Sequence, residues 1–164
     1  MGGERPNTPL LRRAHSRVMF AMAVANHDAP FARELRSLPG LRLKLAEPLA
    51  RYTSMKIGGP ADYFIEAENS AALAALLTLV ERHQLPMCVL GNGSNLLVSD
   101  AGVRGVVIRL AGEFKKIAWL DEAASVRVKV GAAYAVTQLV RGAARKGYGG
   151  LGFAEGHPGR VGGA

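Results

Sequence analysis

The chain has 164 residues, of which 49% are apolar and 21% charged, so it carries enough hydrophobic side chains for one globular domain. This composition excludes a wholly disordered or fibrous chain. The formal net charge is +8, and most of the excess lies in residues 1–51, which hold nine Lys and Arg against four Asp and Glu. A dedicated nucleic-acid-binding domain concentrates its basic residues on the folded body, so this distribution does not indicate one.

Residues 1–40 are predicted to be a basic, poorly ordered leader that contributes little to the fold, because no apolar periodicity is sustained there. Three arginines precede a short apolar stretch at residues 18–25, which is at the lower length limit for a signal peptide. The alternatives to a signal peptide are a poorly ordered leader, or residues that lie upstream of a translation start at Met19 or Met22. No other stretch approaches the ~20 apolar residues of a membrane-spanning helix, so we expect no membrane insertion.

Cys88 is the single cysteine of the chain. One cysteine excludes an internal disulfide and a multi-cysteine zinc site, and it agrees with a reducing, cytoplasmic location. Because Cys88 lies in the apolar run of residues 87–90, we expect it to be a buried small hydrophobic residue rather than a reactive thiol. No metal site is assigned.

From residue 41 onward, strand and helix patterns alternate and predict an α+β or α/β fold. Asn69 or Ser70 is predicted to cap a helix whose apolar residues follow a helical spacing and which ends before Pro86. A second helix is predicted from Val136, with Gly147 as its C-cap. Strands are predicted at residues 63–66, 87–90, 96–98, 105–110, 116–120 and 125–130.

The turn G-N-G-S-N at residues 91–95 is the first candidate site. Two glycines allow positive φ and close approach of the backbone, so successive N–H groups can converge on an anion such as a pyrophosphate. The turn matches neither the P-loop nor the G-x-G-x-x-G pattern. A simple hairpin connection between two strands is the alternative.

The second candidate site is the glycine-rich loop at residues 153–164, which can wrap a flat ligand. Besides Arg160, its titratable side chains are Glu155 and His157, and a solvated surface position is the alternative for each. A compact domain rarely ends on such a loop, so we expect the chain to be truncated at its C-terminus.

Three motifs resemble, in order and spacing, the UDP-N-acetylenolpyruvoylglucosamine reductases, flavoenzymes also called UDP-N-acetylmuramate dehydrogenases or MurB. They are Y-T-S-M-K-I-G-G-P-A-D-Y-F at residues 52–64, V-L-G-N-G-S-N-L-L-V-S-D-A-G-V-R-G-V-V-I at 89–108, and G-L-G-F-A-E-G-H-P-G-R-V-G-G-A at 150–164. The resemblance covers residues 47–164. The G-N-G-S-N turn alone indicates only the wider vanillyl-alcohol-oxidase-like flavin fold, and the last motif narrows it to these reductases.

The resemblance implies an α+β, PCMH-type FAD-binding domain at residues 41–164, incomplete at its C-terminus, with FAD between two small lobes. It implies that the FAD pyrophosphate is held by Gly91, Asn92, Gly93, Ser94 and Asn95. It further implies that Ile57 and Gly58 lie beside the cofactor and that the flavin is lined by Glu155, Gly156, Pro158, Gly159, Val161, Gly162 and Gly163.

The implied reaction is hydride transfer from NADPH to flavin N5 and then to the enolpyruvyl group of UDP-N-acetylglucosamine enolpyruvate, giving UDP-N-acetylmuramate for peptidoglycan. The implied partner is thus a small UDP-sugar, and we expect a monomer. His157 and Arg160 depart from the family, which has Ile and a small Thr or Ser at these positions. The family's catalytic residues belong to a substrate domain that this chain lacks, so no catalytic residue is assigned.

Three hypotheses follow. The first is a flavin-binding fragment of this reductase, inactive alone and weak or deficient in FAD binding. The second is a generic flavin-binding oxidoreductase module of the same fold. The third is a non-catalytic adaptor that binds nucleic acid through residues 1–51.

Overall fold

The computed structural model describes residues 29–164, which form three helices and six strands. In chain order these are α1 (Pro30–Arg36), β1 (Leu41–Pro48), β2 (Pro60–Ala67), α2 (Ser70–Arg82), β3 (Met87–Val89), β4 (Val103–Leu110), β5 (Ile117–Asp121), β6 (Val126–Val130) and α3 (Val136–Arg145). Short 3-10 turns lie at Leu49–Tyr52, Gly112–Lys115, Gly152–Ala154 and Val161–Gly163. The predicted α+β class is confirmed.

Four strands form the main sheet, in the order β1-β2-β4-β3. β1 is antiparallel to β2, whereas β2, β4 and β3 are parallel to one another. The parallel connection from β2 to β3 runs through α2, as a crossover between parallel strands requires. The centres of β2 and β4 are buried on both faces, and residues 63–65 and 106–108 therefore form short continuous apolar runs rather than alternating patterns.

Alternate residues of the two central strands supply two hydrophobic cores, one on each face of the sheet. The core on the helical face joins α1 and α2 to the sheet through Phe31, Leu35, Leu76, Leu79, Val80, Tyr63, Ile65, Val106 and Ile108. The core on the opposite face contains Leu49, Ala61, Phe64, Leu90, Val98 and Val107.

The second, smaller sheet is the antiparallel pair β5–β6, which lies beside α3. Trp119 pairs with Val128 across this sheet, and its ring lies 5.5 Å from that of Tyr148, just beyond α3. The C-cap of α3 is Lys146, one residue before the predicted Gly147, which follows with φ +77° and donates its N–H to the Ala144 carbonyl. Within residues 29–164, no helix is long and apolar enough to cross a bilayer.

The helix predicted between the first two parallel strands is confirmed as α2. Asn69 is its N-cap, because the Asn69 side chain accepts a hydrogen bond of 2.8 Å from the Ala72 N–H. The helix ends at Arg82, and the chain then passes Pro86 into β3.

Residues 29–40 differ from the predicted leader, because α1 belongs to the core. Phe31, Ala32 and Leu35 are fully buried against the sheet and α2. The expectation that the leader extends to residue 40 is therefore wrong for this segment. The rest of the predicted leader, residues 1–28, lies outside the described residues.

Phe31→Ala tests the role of α1. The Phe31 ring is 3% exposed and contacts Tyr63 and His83 edge-to-face, with centroids 5.0 and 5.5 Å apart. We expect its loss to lower the free energy of unfolding by about 3–5 kcal/mol, measured by urea denaturation. The matched control is Phe153→Ala, since Phe153 is 87% exposed and its loss should change stability by less than about 0.5 kcal/mol. Equal effects of the two substitutions would contradict a structural role for α1.

Two further predictions fail around β3. Residues 96–98 form no strand, because β3 pairs with β4 and not with the segment that follows the turn. Cys88 is exposed rather than buried, since β3 is an edge strand. Partial desolvation raises the pKa of the Cys88 thiol, which favours its protonated form.

Candidate functional site

A cavity of about 380 Å³ lies between the two sheets. On one side are the carboxyl ends of β3 and β4 with the turn that follows β3, and on the other are the loop after β6 and the C-terminal loop. Its lining residues are Val89, Leu90, Gly91, Asn92, Gly93, Ser94, Asn95, Leu96, Arg109, Leu110, Lys115, Ala132, Ala133, Gly159, Arg160, Gly162 and Gly163. Below we call it the intersheet cavity.

The turn at residues 91–95 forms one wall of the intersheet cavity, and Gly93 fixes its shape. Gly93 has φ +61°, and a Cβ at this position would lie 2.1 Å from the Tyr52 carbonyl oxygen. The Gly93 carbonyl also accepts a 3.0 Å hydrogen bond from the Ser54 N–H. The backbone of the turn is thus pressed against residues 52–54, an approach that only glycine permits.

The alternative interpretation of this turn as a hairpin connection is wrong. A hairpin would join two paired strands, but β3 is followed by a segment without strand structure and pairs in parallel with β4. The turn therefore lies at the carboxyl end of a parallel strand, where open α/β sheets place their ligands.

The C-terminal loop closes the opposite wall and contacts the turn directly. The Asn92 side chain donates a hydrogen bond of 2.7 Å to the Pro158 carbonyl across 66 residues of sequence. Backbone hydrogen bonds of 2.9–3.2 Å attach the loop to residues 132–136: Val136 N–H to Gly159 O, Val161 N–H to Tyr134 O, and Gly162 N–H to Ala132 O. The loop is therefore anchored at both walls despite its glycine content.

The charges on the intersheet cavity are all positive. Arg109, Lys115 and Arg160 line it, and no Asp or Glu is among its lining residues. The charge of Arg109 is partly neutralised by Glu66, because the Arg109 Nη1 lies 3.3 Å from a Glu66 carboxylate oxygen. The Arg109 guanidinium carbon also lies over the Tyr52 ring, 5.0 Å from its centroid. A cavity lined by a glycine-rich turn and by three cations, with no acidic residue in its lining, is suited to an anionic ligand.

Of the predicted site residues, the structure brings two groups together at this cavity. Its walls include Gly91, Asn92, Gly93, Ser94, Asn95, Gly159, Gly162 and Gly163. Pro158 does not line the cavity but holds Asn92 through its carbonyl.

The other predicted site residues lie outside the lining, and their contact with a ligand stays a prediction. Ile57 is 45% exposed and accepts a hydrogen bond from the Thr53 hydroxyl, and Gly58 accepts one from the Ala50 N–H. Glu155 and Gly156 are exposed parts of the C-terminal loop, and Val161 is partly buried there.

The predicted site residues leave out nine residues of the cavity lining: Val89, Leu90, Leu96, Arg109, Leu110, Lys115, Ala132, Ala133 and Arg160. A signal for Arg109 was present, because it lies at the end of a strand parallel to β3, and the carboxyl ends of parallel strands meet at one sheet edge. The contribution of residues 132–133 depends on how the second sheet packs, which local patterns do not encode. Within residues 29–164, no three His, Cys, Asp or Glu side chains are grouped so that they could hold a metal ion.

Residues 61–164 match the FAD binding domain family. The chain is 49% identical to UDP-N-acetylenolpyruvoylglucosamine reductase 2 of Symbiobacterium thermophilum over 82% of this chain and 43% of that protein. It is 44% identical to the reductase of Bacillus velezensis over 80% of this chain and 42% of that protein. The chain thus spans about two fifths of the length of these curated relatives.

A solved structure shows the same fold. The crystal structure of UDP-N-acetylenolpyruvylglucosamine reductase (MurB) from Thermus caldophilus superimposes with a TM-score of 0.60 at 39% sequence identity. The match covers 76% of this chain and 41% of that one. The resemblance to the FAD-binding part of these reductases, and with it the PCMH-type fold, is confirmed.

Proposed function

Because the chain belongs to the FAD binding domain family, we propose that residues 41–164 hold FAD and serve as the flavin-binding part of a UDP-N-acetylenolpyruvoylglucosamine reductase. The observation that carries the proposal is the intersheet cavity, with the 91–95 turn on one wall and the C-terminal loop on the other. Both walls are motifs that the resemblance assigns to FAD.

The residues of the cavity fit a dinucleotide. At Gly93 the turn packs against the Tyr52 carbonyl with positive φ, which only glycine permits, and this contact holds the turn in the shape that forms the cavity wall. Arg109, Lys115 and Arg160 supply positive charge for its two phosphates. Leu90, Leu96 and Leu110 add apolar lining, which suits the uncharged parts of a cofactor.

In this proposal, bound FAD supplies hydride transfer from NADPH to the enolpyruvyl group of the UDP-sugar substrate. The residues of this chain bind and orient the cofactor: the turn holds the pyrophosphate, and the loop at residues 155–163 lies along the flavin. The hydrogen bond from the Asn92 side chain to the Pro158 carbonyl links the two walls and holds them close together. We further propose that the protein acts as a monomer, and that it acts in the cytoplasm, a location with which its single cysteine agrees.

A chimera tests this function. Residues 29–164, which include the core helix α1, replace the matching segment of the Symbiobacterium thermophilum reductase, which is 49% identical over the aligned residues. We expect the purified chimera to carry FAD and to convert the enolpyruvyl substrate to UDP-N-acetylmuramate with NADPH. Flavin content is measured by visible absorption and product by chromatography, with the unmodified relative as the positive control. A folded chimera that holds no flavin would contradict the proposal.

A further inference from the structure

Arg160 holds a fixed position on the wall of the intersheet cavity. It precedes the last 3-10 turn and pairs with Ala135 in an isolated antiparallel bridge, which sets the direction of its backbone. The residue is partly buried and lines the cavity. Its side chain therefore belongs to the site and not to the solvent-exposed surface of the loop.

The contacts of Arg160 place its side chain between the two walls. Its Nη1 donates a 3.0 Å hydrogen bond to the Ala133 carbonyl. Its Cγ is close to the glycine turn, 3.8 Å from where a Cβ of Gly91 would lie. A guanidinium has five N–H donors, and this is the one hydrogen bond it makes within residues 29–164.

The charge of Arg160 is also unopposed among the described residues. Arg109 has Glu66 as its ion-pair partner, whereas neither Arg160 nor Lys115 forms an ion pair within residues 29–164. An arginine that keeps free N–H donors and lines a cavity without acidic residues is suited to bind a phosphate, because the planar guanidinium group can donate two parallel hydrogen bonds to two phosphate oxygens.

We propose that Arg160 binds a phosphate of the dinucleotide's diphosphate group, together with the backbone donors of the 91–95 turn. This inference rests on the proposed function, because it assigns the diphosphate to the same cavity. Arg160 thus determines specificity for the charged part of the cofactor, whereas Gly93 determines the shape that admits it.

Two substitutions separate the charge of Arg160 from its structural contact. Arg160→Lys keeps the positive charge, whereas Arg160→Gln keeps an amide donor for the Ala133 carbonyl and removes the charge. A purely structural residue would tolerate both changes alike. A phosphate ligand should tolerate lysine better than glutamine.

The test is a titration of the 164-residue chain with inorganic pyrophosphate at low and high salt, followed by NMR through the Gly91 and Gly93 amide resonances. We expect the wild-type chain to bind pyrophosphate weakly, Arg160→Gln to bind it about ten-fold less tightly and Arg160→Lys to fall between them. The affinity of Arg160→Gln should also depend less on salt. The matched control is Arg141→Gln on the exposed face of α3, which removes the same charge outside the cavity and should leave binding unchanged.

Several results would overturn the inference. One is that Arg160→Gln binds pyrophosphate as tightly as the wild-type chain, or more tightly. Another is that Arg141→Gln loses as much pyrophosphate affinity as Arg160→Gln. The third is that the wild-type chain shows no response to pyrophosphate. Failure of the proposed function is a separate observation, because it requires a folded chimera without flavin. Arg160-dependent pyrophosphate binding combined with a flavin-free chimera would contradict the FAD assignment and leave the anion site intact.

Discussion

We expect Gly93→Val to abolish flavin retention in the chimera, while Ser94→Ala weakens FAD binding by about ten-fold. Valine at position 93 would have to adopt φ +61°, and its Cβ would lie 2.1 Å from the Tyr52 carbonyl oxygen. The turn would have to move away from residues 52–54, and its N–H groups would no longer converge on the pyrophosphate. Ser94→Ala removes one hydroxyl donor, whose loss costs about 1–2 kcal/mol.

The measurement is the ratio of bound flavin to protein after gel filtration, together with the dissociation constant of FAD. The matched control is Gly150→Val. Gly150 also has positive φ, at +90°, but no atom lies within 4 Å of where its Cβ would be. Valine there also has to adopt a positive φ but meets no clash, so this variant should retain flavin. Circular dichroism checks that each variant is folded, and equal flavin retention by wild type and Gly93→Val would remove the turn from the binding site.

The parts of the fold that the sequence predicted are those with strong local signals. Asn69 before a helical apolar pattern and Gly147 after one identified the ends of two helices. α1 was missed because it has seven residues, too few for a helix that is stable alone, and depends on burying Phe31 and Leu35. β1 was missed although Leu41, Leu43 and Leu45 alternate with Arg42 and Lys44, a period of two that is typical of a half-buried strand.

In the candidate site, too, the features with local sequence signals were predicted and those that depend on tertiary packing were not. The turn at residues 91–95 was predicted from its glycines, whose positive φ is a local property. Its contact with Pro158 spans 66 residues and depends on how the two sheets pack together, so no local pattern indicates it. The exposure of Cys88 also depends on topology, because an apolar run becomes an edge strand only when no further strand pairs with it.

We expect the 164-residue chain alone to form no UDP-N-acetylmuramate when it is supplied with FAD, NADPH and the enolpyruvyl substrate. Reduction of the enolpyruvyl group requires a proton as well as a hydride, and it develops negative charge that must be stabilised. The intersheet cavity is lined by no Asp, Glu or His, so its walls offer no carboxylic acid or imidazole as a proton donor. His157, in the C-terminal loop, is exposed and does not line the cavity.

General acid catalysis and electrostatic stabilisation each contribute rate factors of about 10² or more, so the chain alone should be slower than the chimera by about 10⁴-fold or more. The low rate expected of the chain alone is not caused by a loose C-terminal loop, because backbone hydrogen bonds to residues 132–136 hold that loop in place. If the chain alone binds flavin weakly and NADPH reduces that flavin, the result agrees with this explanation, because the step that we expect to fail is hydride transfer from the flavin to the enolpyruvyl substrate.

Anaerobic stopped-flow absorption separates the two half-reactions. Bleaching of the visible flavin band after NADPH is added reports reduction of the cofactor, and its return after the enolpyruvyl substrate is added reports the second transfer. We expect the chimera to complete both steps and the 164-residue chain to show no return of the band. Product formation by the chain alone, at a rate comparable with that of the chimera, would mean that described residues such as His157 or Arg160 supply the missing proton and charge.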